Sequence, residues 1–222
     1  MKQCFDQHFL NYIGGSPKRS LLPAILGLGI LLGPGSRQLS AQETVAKWSF
    51  EQFARSTTLE EVSKQPDRIV GFYEPVAGIG GGAIQLDGYT SFLERARFGR
   101  DLPQQFTVNA WLALESYPWF RSPVFDLRRA EKDGVLLAVN HSGKLAVGLG
   151  QPATWVEIEG PLLPLKQWLM LTLVVESERP ARLYLNGQPV GEAPSSPVLS
   201  PTSDHKLTMG RNAMLEKWVD YQ

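Results

Sequence analysis

Ala181-Arg182-Leu183-Tyr184-Leu185-Asn186-Gly187-Gln188-Pro189-Val190 is the stretch from which the fold class can be read. Asn-Gly tolerates positive φ at both central positions of a type I′ turn, the turn whose twist matches the two strands it joins, so the stretch predicts a β-hairpin. Leu183 and Leu185 fall on one face of the first strand, and Arg182 and Tyr184 on the other. Pro189 donates no backbone hydrogen bond, which makes the returning strand short or places it at a sheet edge.

Outward from this hairpin the chain is a succession of short alternating segments cut by turn residues. Residues 105–114 carry the longest alternation, with Phe106, Val108, Ala110, Leu112 and Leu114 facing one way. Residues 123–128, 134–140 and 144–149 follow, separated by the turn pairs Asp133-Gly134 and Ser142-Gly143. Residues 155–159, 168–176 and 206–210 read as further strands. Upstream, residues 44–50 form a strand with Ala46, Trp48 and Phe50 on a buried face. Residues 83–88 form another, ending in an Asp87-Gly88 turn from which 89–93 returns. Thr58-Leu59-Glu60-Glu61 has the capping-box pattern and predicts a short helix that cannot pass Pro66. The glycine-rich residues 78–82 lack the Lys-Ser/Thr ending of a phosphate cradle and read as a tight loop into the next strand. A dozen short strands with no strand-helix-strand rhythm predict an all-β fold, an antiparallel β-sandwich.

The first 41 residues read as an export signal. Lys18-Arg19 precede the apolar run 21–33, and Leu39-Ser40-Ala41 is a small-residue cleavage site. The run is too short for a stable membrane anchor, so the expected location is secreted or periplasmic, with no membrane attachment after cleavage. The single cysteine, Cys4, leaves with the signal, which excludes disulfides, cysteine metal sites and a thiol nucleophile from the exported part. Residues 42–222 then make one domain. The whole chain balances 22 basic against 22 acidic residues. Discarding Lys2, Lys18, Arg19 and Arg37 against Asp6 alone leaves the exported part slightly acidic, which argues against nucleic acid or an anionic membrane as partner.

Six motifs now stand in register. They are Trp48-Ser49-Phe50-Glu51, Ala83-Ile84-Gln85-Leu86-Asp87-Gly88-Tyr89-Thr90-Ser91, Phe106-Thr107-Val108-Asn109-Ala110-Trp111, Trp168-Leu169-Met170-Leu171-Thr172-Leu173-Val174, Leu183-Tyr184-Leu185-Asn186-Gly187 and Leu207-Thr208-Met209-Gly210-Arg211-Asn212. In this order they resemble a laminin G-like (LamG) domain of the concanavalin A-like lectin/glucanase superfamily, which implies a jelly roll. Tyr117-Pro118-Trp119, together with Glu60-Glu61-Val62-Ser63-Lys64, further resembles the module ahead of the catalytic domain in secreted family 32 glycoside hydrolases. Such a domain closes with a strand reading approximately Ile-Asp-Glu-Val-x-Ile-Tyr. Here the chain stops at Val219-Asp220-Tyr221-Gln222, so the closing C-terminal strand is expected to be missing and the chain to be a fragment. The family 32 catalytic motifs are absent from these residues.

Within the chain, Trp155, Glu157 and Glu159 share one strand face, a pattern resembling the paired acids of glucanases on this fold. A retaining glycosidase holds its carboxyls about 5 to 5.5 Å apart, which residues two apart on a strand can approach. The third acid of those enzymes is lacking, and Gly160-Pro161 is expected to end the strand at once, so the acids read as a solvated face. His141 and His205 stand in turn-like contexts without a Gly-x-Ser-x-Gly elbow. No catalytic residue is assigned, and the enzyme reading leans to no.

Binding residues are easier to find. Tyr117-Pro118-Trp119-Phe120-Arg121 places three aromatics and a cation in one loop that no strand periodicity buries. Aromatic faces stack on sugar rings and Arg121 can bond hydroxyls or carboxylates. Tyr117, Trp119, Phe120, Arg121 and Trp155 are therefore the candidate ligand-binding residues, with a plug at the sandwich end as the structural alternative for Trp119 or Phe120. Some domains of this fold bind Ca²⁺, and Glu51, Asp87 and Asp126 offer hard oxygens. Without the Asp of a closing strand the set is incomplete, so no metal or other cofactor is assigned. The expected function is a non-catalytic carbohydrate-recognition or interaction module of a secreted protein. The alternative is the N-terminal accessory module of a secreted family 32-like glycoside hydrolase. The expected partner is a glycan or an adjacent catalytic domain.

Overall fold

A computed structural model gives the structure of residues 3–13 and 42–211. Among these residues there is no helix. The strands are β1 (Gln3–Ile13), β2 (Gln42–Trp48), β3 (Thr57–Glu60), β4 (Gln65–Val70), β5 (Tyr73–Ala77), β6 (Gly82–Leu86), β7 (Phe92–Arg95), β8 (Phe106–Leu114), β9 (Ser122–Ala130), β10 (Asp133–Val139), β11 (Lys144–Gly150), β12 (Val156–Leu162), β13 (Leu169–Val175), β14 (Arg182–Leu185), β15 (Gln188–Glu192) and β16 (Leu207–Met209). They build two sheets. The first runs β15-β14-β13-β8-β1-β6-β5, with β2 also paired to β1, and the second runs β12-β11-β10-β9-β16-β7-β4-β3. The central pairings are antiparallel in both, as the sandwich requires.

The alternation of β8 places its inward side chains as expected: Phe106, Val108, Ala110, Leu112 and Leu114 are all buried. They face Phe125 and Leu127 of β9, Val135, Leu137 and Val139 of β10, and Val147 and Leu149 of β11 within one continuous core. Burying each such side chain contributes about 1.5–3 kcal/mol. In the β14–β15 hairpin Asn186 has φ 51° and Gly187 φ 78°, the type I′ signature. The Asn186 carboxamide oxygen accepts the Met170 N–H at 2.8 Å and the Asn186 N–H donates to the Met170 carbonyl at 2.8 Å, which ties the turn to β13. Pro189 lies on β15, the edge strand of its sheet. The glycine-rich residues form the tight loop between β5 and β6, closed by Gly78 N–H donating to Gly81 O at 2.8 Å.

Three expectations change. Residues 58–61 form no helix; β3 pairs with β4, with Leu59 opposite Pro66. The carboxylate that organises the turn is that of Glu60, which accepts the N–H groups of Lys47, Val62 and Ser63, each at 2.8 Å, while the Thr58 hydroxyl donates to the Gln52 carbonyl. Pro66 is tolerated because pairing of β4 with β7 begins only at Arg68. Second, residues 83–88 and 89–93 are not a hairpin: β6 lies in the first sheet and β7 in the second, so the Asp87-Gly88 turn carries the chain between sheets. Third, Gly160-Pro161 does not end the strand. β12 continues to Leu162, and a register shift between Lys144 and Ala146 takes up the irregularity.

The first residues form a strand: β1 lies between β8 and β6, with Cys4 opposite Ala113 on one side and Gln85 on the other. Its second half, His8 to Ile13, pairs with β2. The apolar run 21–33, the cleavage site at Ala41 and residues 212–222, where a closing strand is expected to be missing, lie outside the described residues.

Candidate functional site

The loop joining β8 to β9 contains the aromatics singled out from sequence. Tyr117 is its foot: the hydroxyl donates to the Leu163 carbonyl at 2.8 Å, and a Cβ at Gly143 would stand 2.4 Å from the ring, so glycine alone lets the ring lie there. Beyond the buried Pro118, Trp119 is 78% exposed and Phe120 61% exposed. Arg121 is exposed as well. Tyr117 thus fills the packing role, while Trp119, Phe120 and Arg121 project from it. Leu162, 54% exposed, flanks the same glycine and extends the apolar rim.

Trp155 stands apart from this loop. Its ring lies over Gly148, where a Cβ would be 2.3 Å away, and its indole N–H donates to Glu157 Oε1 at 3.1 Å. Gly143 and Gly148 lie towards opposite ends of β11, so roughly 17 Å of strand separates the two aromatic positions. Glu157 and Glu159 are exposed on β12, the edge strand, and Glu159 is 2.6 Å from the Lys144 ammonium. The two acids are bound to Trp155 and to Lys144, an arrangement of a solvated sheet face.

The three carboxylates considered for Ca²⁺ are not brought together. Glu51 accepts the Gly82 N–H at 3.1 Å. Asp126 is buried against Arg128, with Oδ2 to Nη2 at 2.8 Å. Asp87 caps its own turn, accepting the N–H groups of Tyr89, Thr90 and Ser91 and the hydroxyls of Thr90 and Ser91. Partial burial pushes the Asp87 carboxyl up, but these hydrogen bonds outweigh it and hold the group down at about 2. Among the described residues no group of three or more His, Cys, Asp and Glu side chains is placed to hold a metal.

A second surface was not singled out from sequence. On the outer side of the first sheet an open groove of about 520 Å³ runs past Gln85 of β6, Ala113 and Glu115 at the end of β8, and Lys166 to Trp168 ahead of β13. The Gln85 carboxamide donates to Glu115 Oε1 at 3.3 Å, and Lys166 N–H donates to the Leu114 carbonyl at 2.7 Å. Trp111, opposite Met170, lies one row further along the same face. The signal was present: an alternation that buries Leu112 and Leu169 must turn Trp111 and Trp168 outward.

The laminin G family model of the concanavalin A-like lectin/glucanases superfamily matches residues 87–221. The chain belongs to that superfamily. As a concanavalin A-like domain it is similar in structure to domain 4 of AbnA, a GH43 extracellular arabinanase from Geobacillus stearothermophilus, in complex with arabinotriose. That match has a TM-score of 0.56 at 19% identity and covers 76% of this chain and 83% of the other. The binding domain of botulinum neurotoxin serotype C1 matches with a TM-score of 0.52 at 11% identity, and that of Paraclostridial Mosquitocidal Protein 1 with 0.50 at 11%. These cover 76% and 70% of this chain and 44% and 45% of their own chains. At such identities the likeness is one of fold. No curated protein matches the chain in sequence.

Proposed function

We propose that the chain is a non-catalytic carbohydrate-recognition module. The observation that carries this reading is the rim: Trp119 and Phe120 are held largely in solvent by a loop whose foot, Tyr117, is bonded and packed. Exposed rings on a fixed support beside a guanidinium are what stacking on sugar rings and bonding their hydroxyls require. The similar arabinanase domain bound to arabinotriose supports the same reading. Glu157 and Glu159 are engaged by Trp155 and Lys144, which favours binding over turnover.

That relative is one domain of a larger extracellular enzyme, which favours a particular setting: an accessory module of a secreted glycoside hydrolase, of family 32 or a related kind, with the rim serving the glycan or an adjacent catalytic domain. Secretion is part of the proposal and has a structural consequence. Cleavage after Ala41 removes β1 from between β8 and β6, so the exported form must leave those edges open or accept another strand in the slot.

A glycan array probed with the chain and with Trp119→Ala tests the reading. The variant is expected to lose about tenfold in affinity for the glycans the parent binds. Its stability is expected to stay within about 1 kcal/mol of the parent, because little of the ring is buried. Equal binding by both proteins removes the rim from the site.

A further inference from the structure

We infer that the groove on the outer side of the first sheet is a second glycan subsite, continuous with the rim, that takes an internal stretch of a neutral polysaccharide chain. The inference rests on the carbohydrate reading above and adds to it the class of ligand and the direction in which it lies. Trp168 lines the groove as a half-buried ring, and neither its indole N–H nor the Lys166 ammonium nor the Gln167 carboxamide has a hydrogen-bond or ion-pair partner among the described residues. An aromatic face with uncommitted donors beside it is the pattern that orients a sugar ring: the ring stacks, and the hydroxyls at its rim accept and donate. In the form that retains β1, whose Cys4 lies between Gln85 and Ala113, the Gln85–Glu115 hydrogen bond holds the opposite wall in place.

Continuity with the rim comes from the chain itself. Glu115 lines the groove and Trp119 is the most exposed ring of the rim, and both lie in the loop that follows β8. At the maximum reach of an extended backbone their Cα atoms are no more than about 14 Å apart. The loop's second tie, Tyr117 to the Leu163 carbonyl, fastens it to the segment that leads into Lys166. The groove is open to solvent, and an open groove accommodates a chain that continues beyond it, in contrast to a closed pit that fits a terminal unit. Among the described residues the charged groups lining it are Glu115 and Lys166, one of each sign, which favours a neutral glycan over a sulfated or uronate chain that would meet the carboxylate.

The experiment is a calorimetric titration with linear arabinan oligomers from the trisaccharide upward, using the full chain, Trp119→Ala, Trp168→Ala and the double variant Lys166→Ala/Gln167→Ala. Lys166 and Gln167 are exposed, so that double variant tests the groove even if Trp168→Ala fails to fold. In the parent, affinity is expected to rise with oligomer length. Trp168→Ala is expected to weaken long oligomers by about tenfold and the trisaccharide hardly at all, and Lys166→Ala/Gln167→Ala to remove most of the length dependence; Trp119→Ala weakens every length. Binding by the parent that both groove variants retain unchanged at every length overturns the groove and leaves the rim standing. No binding by the parent to arabinan or to any array glycan overturns the carbohydrate reading itself. Preference for heparin over neutral chains overturns the assigned ligand class.

Discussion

Arg95→Met takes a guanidinium away from two buried carboxylates, and the structure sets the scale of the loss. Arg95 Nε is 2.6 Å from Asp67 Oδ1, and Nη2 is 2.9 Å from Asp67 Oδ2 and 3.6 Å from Glu60 Oε2. The side chains are 12%, 1% and 0% exposed for Arg95, Asp67 and Glu60. The guanidinium also lies 5.6 Å from the centre of the Trp48 ring, whose N–H donates to Asp67 at 2.5 Å. Breaking a buried pair from one side costs about 3–5 kcal/mol, because the remaining charge is left desolvated. For a chain of this size that corresponds to a fall of roughly 6–20 °C in Tm.

The same cluster adds a pH signature. Burial pushes the Asp67 carboxyl above its ordinary value even though Arg95 and Trp48 pull it down, and removing Arg95 raises it further. A carboxyl whose folded pKa is raised is penalised while ionised, and the penalty disappears as pH falls through the folded value. The deficit of Arg95→Met is therefore largest at pH 7 and shrinks towards pH 4. Urea unfolding followed by tryptophan fluorescence at both pH values measures it. Lys144→Met, which breaks an exposed pair with Glu159, is the control and is expected to cost less than about 1 kcal/mol. A deficit for Arg95→Met no larger than that of the control, or one independent of pH, refutes the reasoning.

Asp87 titrates in the opposite sense. Held down at about 2 by its turn, it adds stability above the ordinary carboxyl range that is lost as pH falls through about 2. Asp87→Asn is expected to cost about 1 kcal/mol at pH 7, after allowance for solvent screening of a partly exposed group, and nearly nothing at pH 2; calorimetry at the two pH values checks this. A version beginning at Gln42 lacks β1 and is expected to melt below the full chain and to self-associate through the open edges of β8 and β6. Equal melting temperatures and a monomeric sedimentation profile would show that the sheet does not depend on β1.

What was legible before the structure was whatever has a period. Phe106 to Leu114 alternates strictly, so its inward face could be named residue by residue, and Asn186-Gly187 specified one turn type. Capping patterns are less selective. A carboxylate three residues on from a Thr can close a helix or a tight turn, and here the working carboxylate is Glu60, a residue earlier than the pattern implies. Asp87-Gly88 carried the same ambiguity between a hairpin and a passage from one sheet to the other. In the candidate site, the loop could be picked out because no periodicity accounts for three aromatics. Which of them packs depended on Gly143, 26 residues away in sequence from Tyr117. Trp111 and Trp168 belong to strand motifs, and their outward position follows from the alternation of their neighbours, but that alternation does not say that a groove lies beside them.

The proposed neutral-glycan surface joins the exposed aromatics of the β8–β9 loop to the Trp168 groove on the first sheet. Affinity electrophoresis in gels containing linear arabinan, levan or β-glucan tests it most directly, comparing the parent with Trp119→Ala/Trp168→Ala. At least one of these neutral polymers is expected to retard the parent, and the double variant, with an unchanged circular dichroism spectrum, to migrate as it does in a plain gel. Equal retardation of the folded double variant, or free migration of the parent in all three gels, contradicts it.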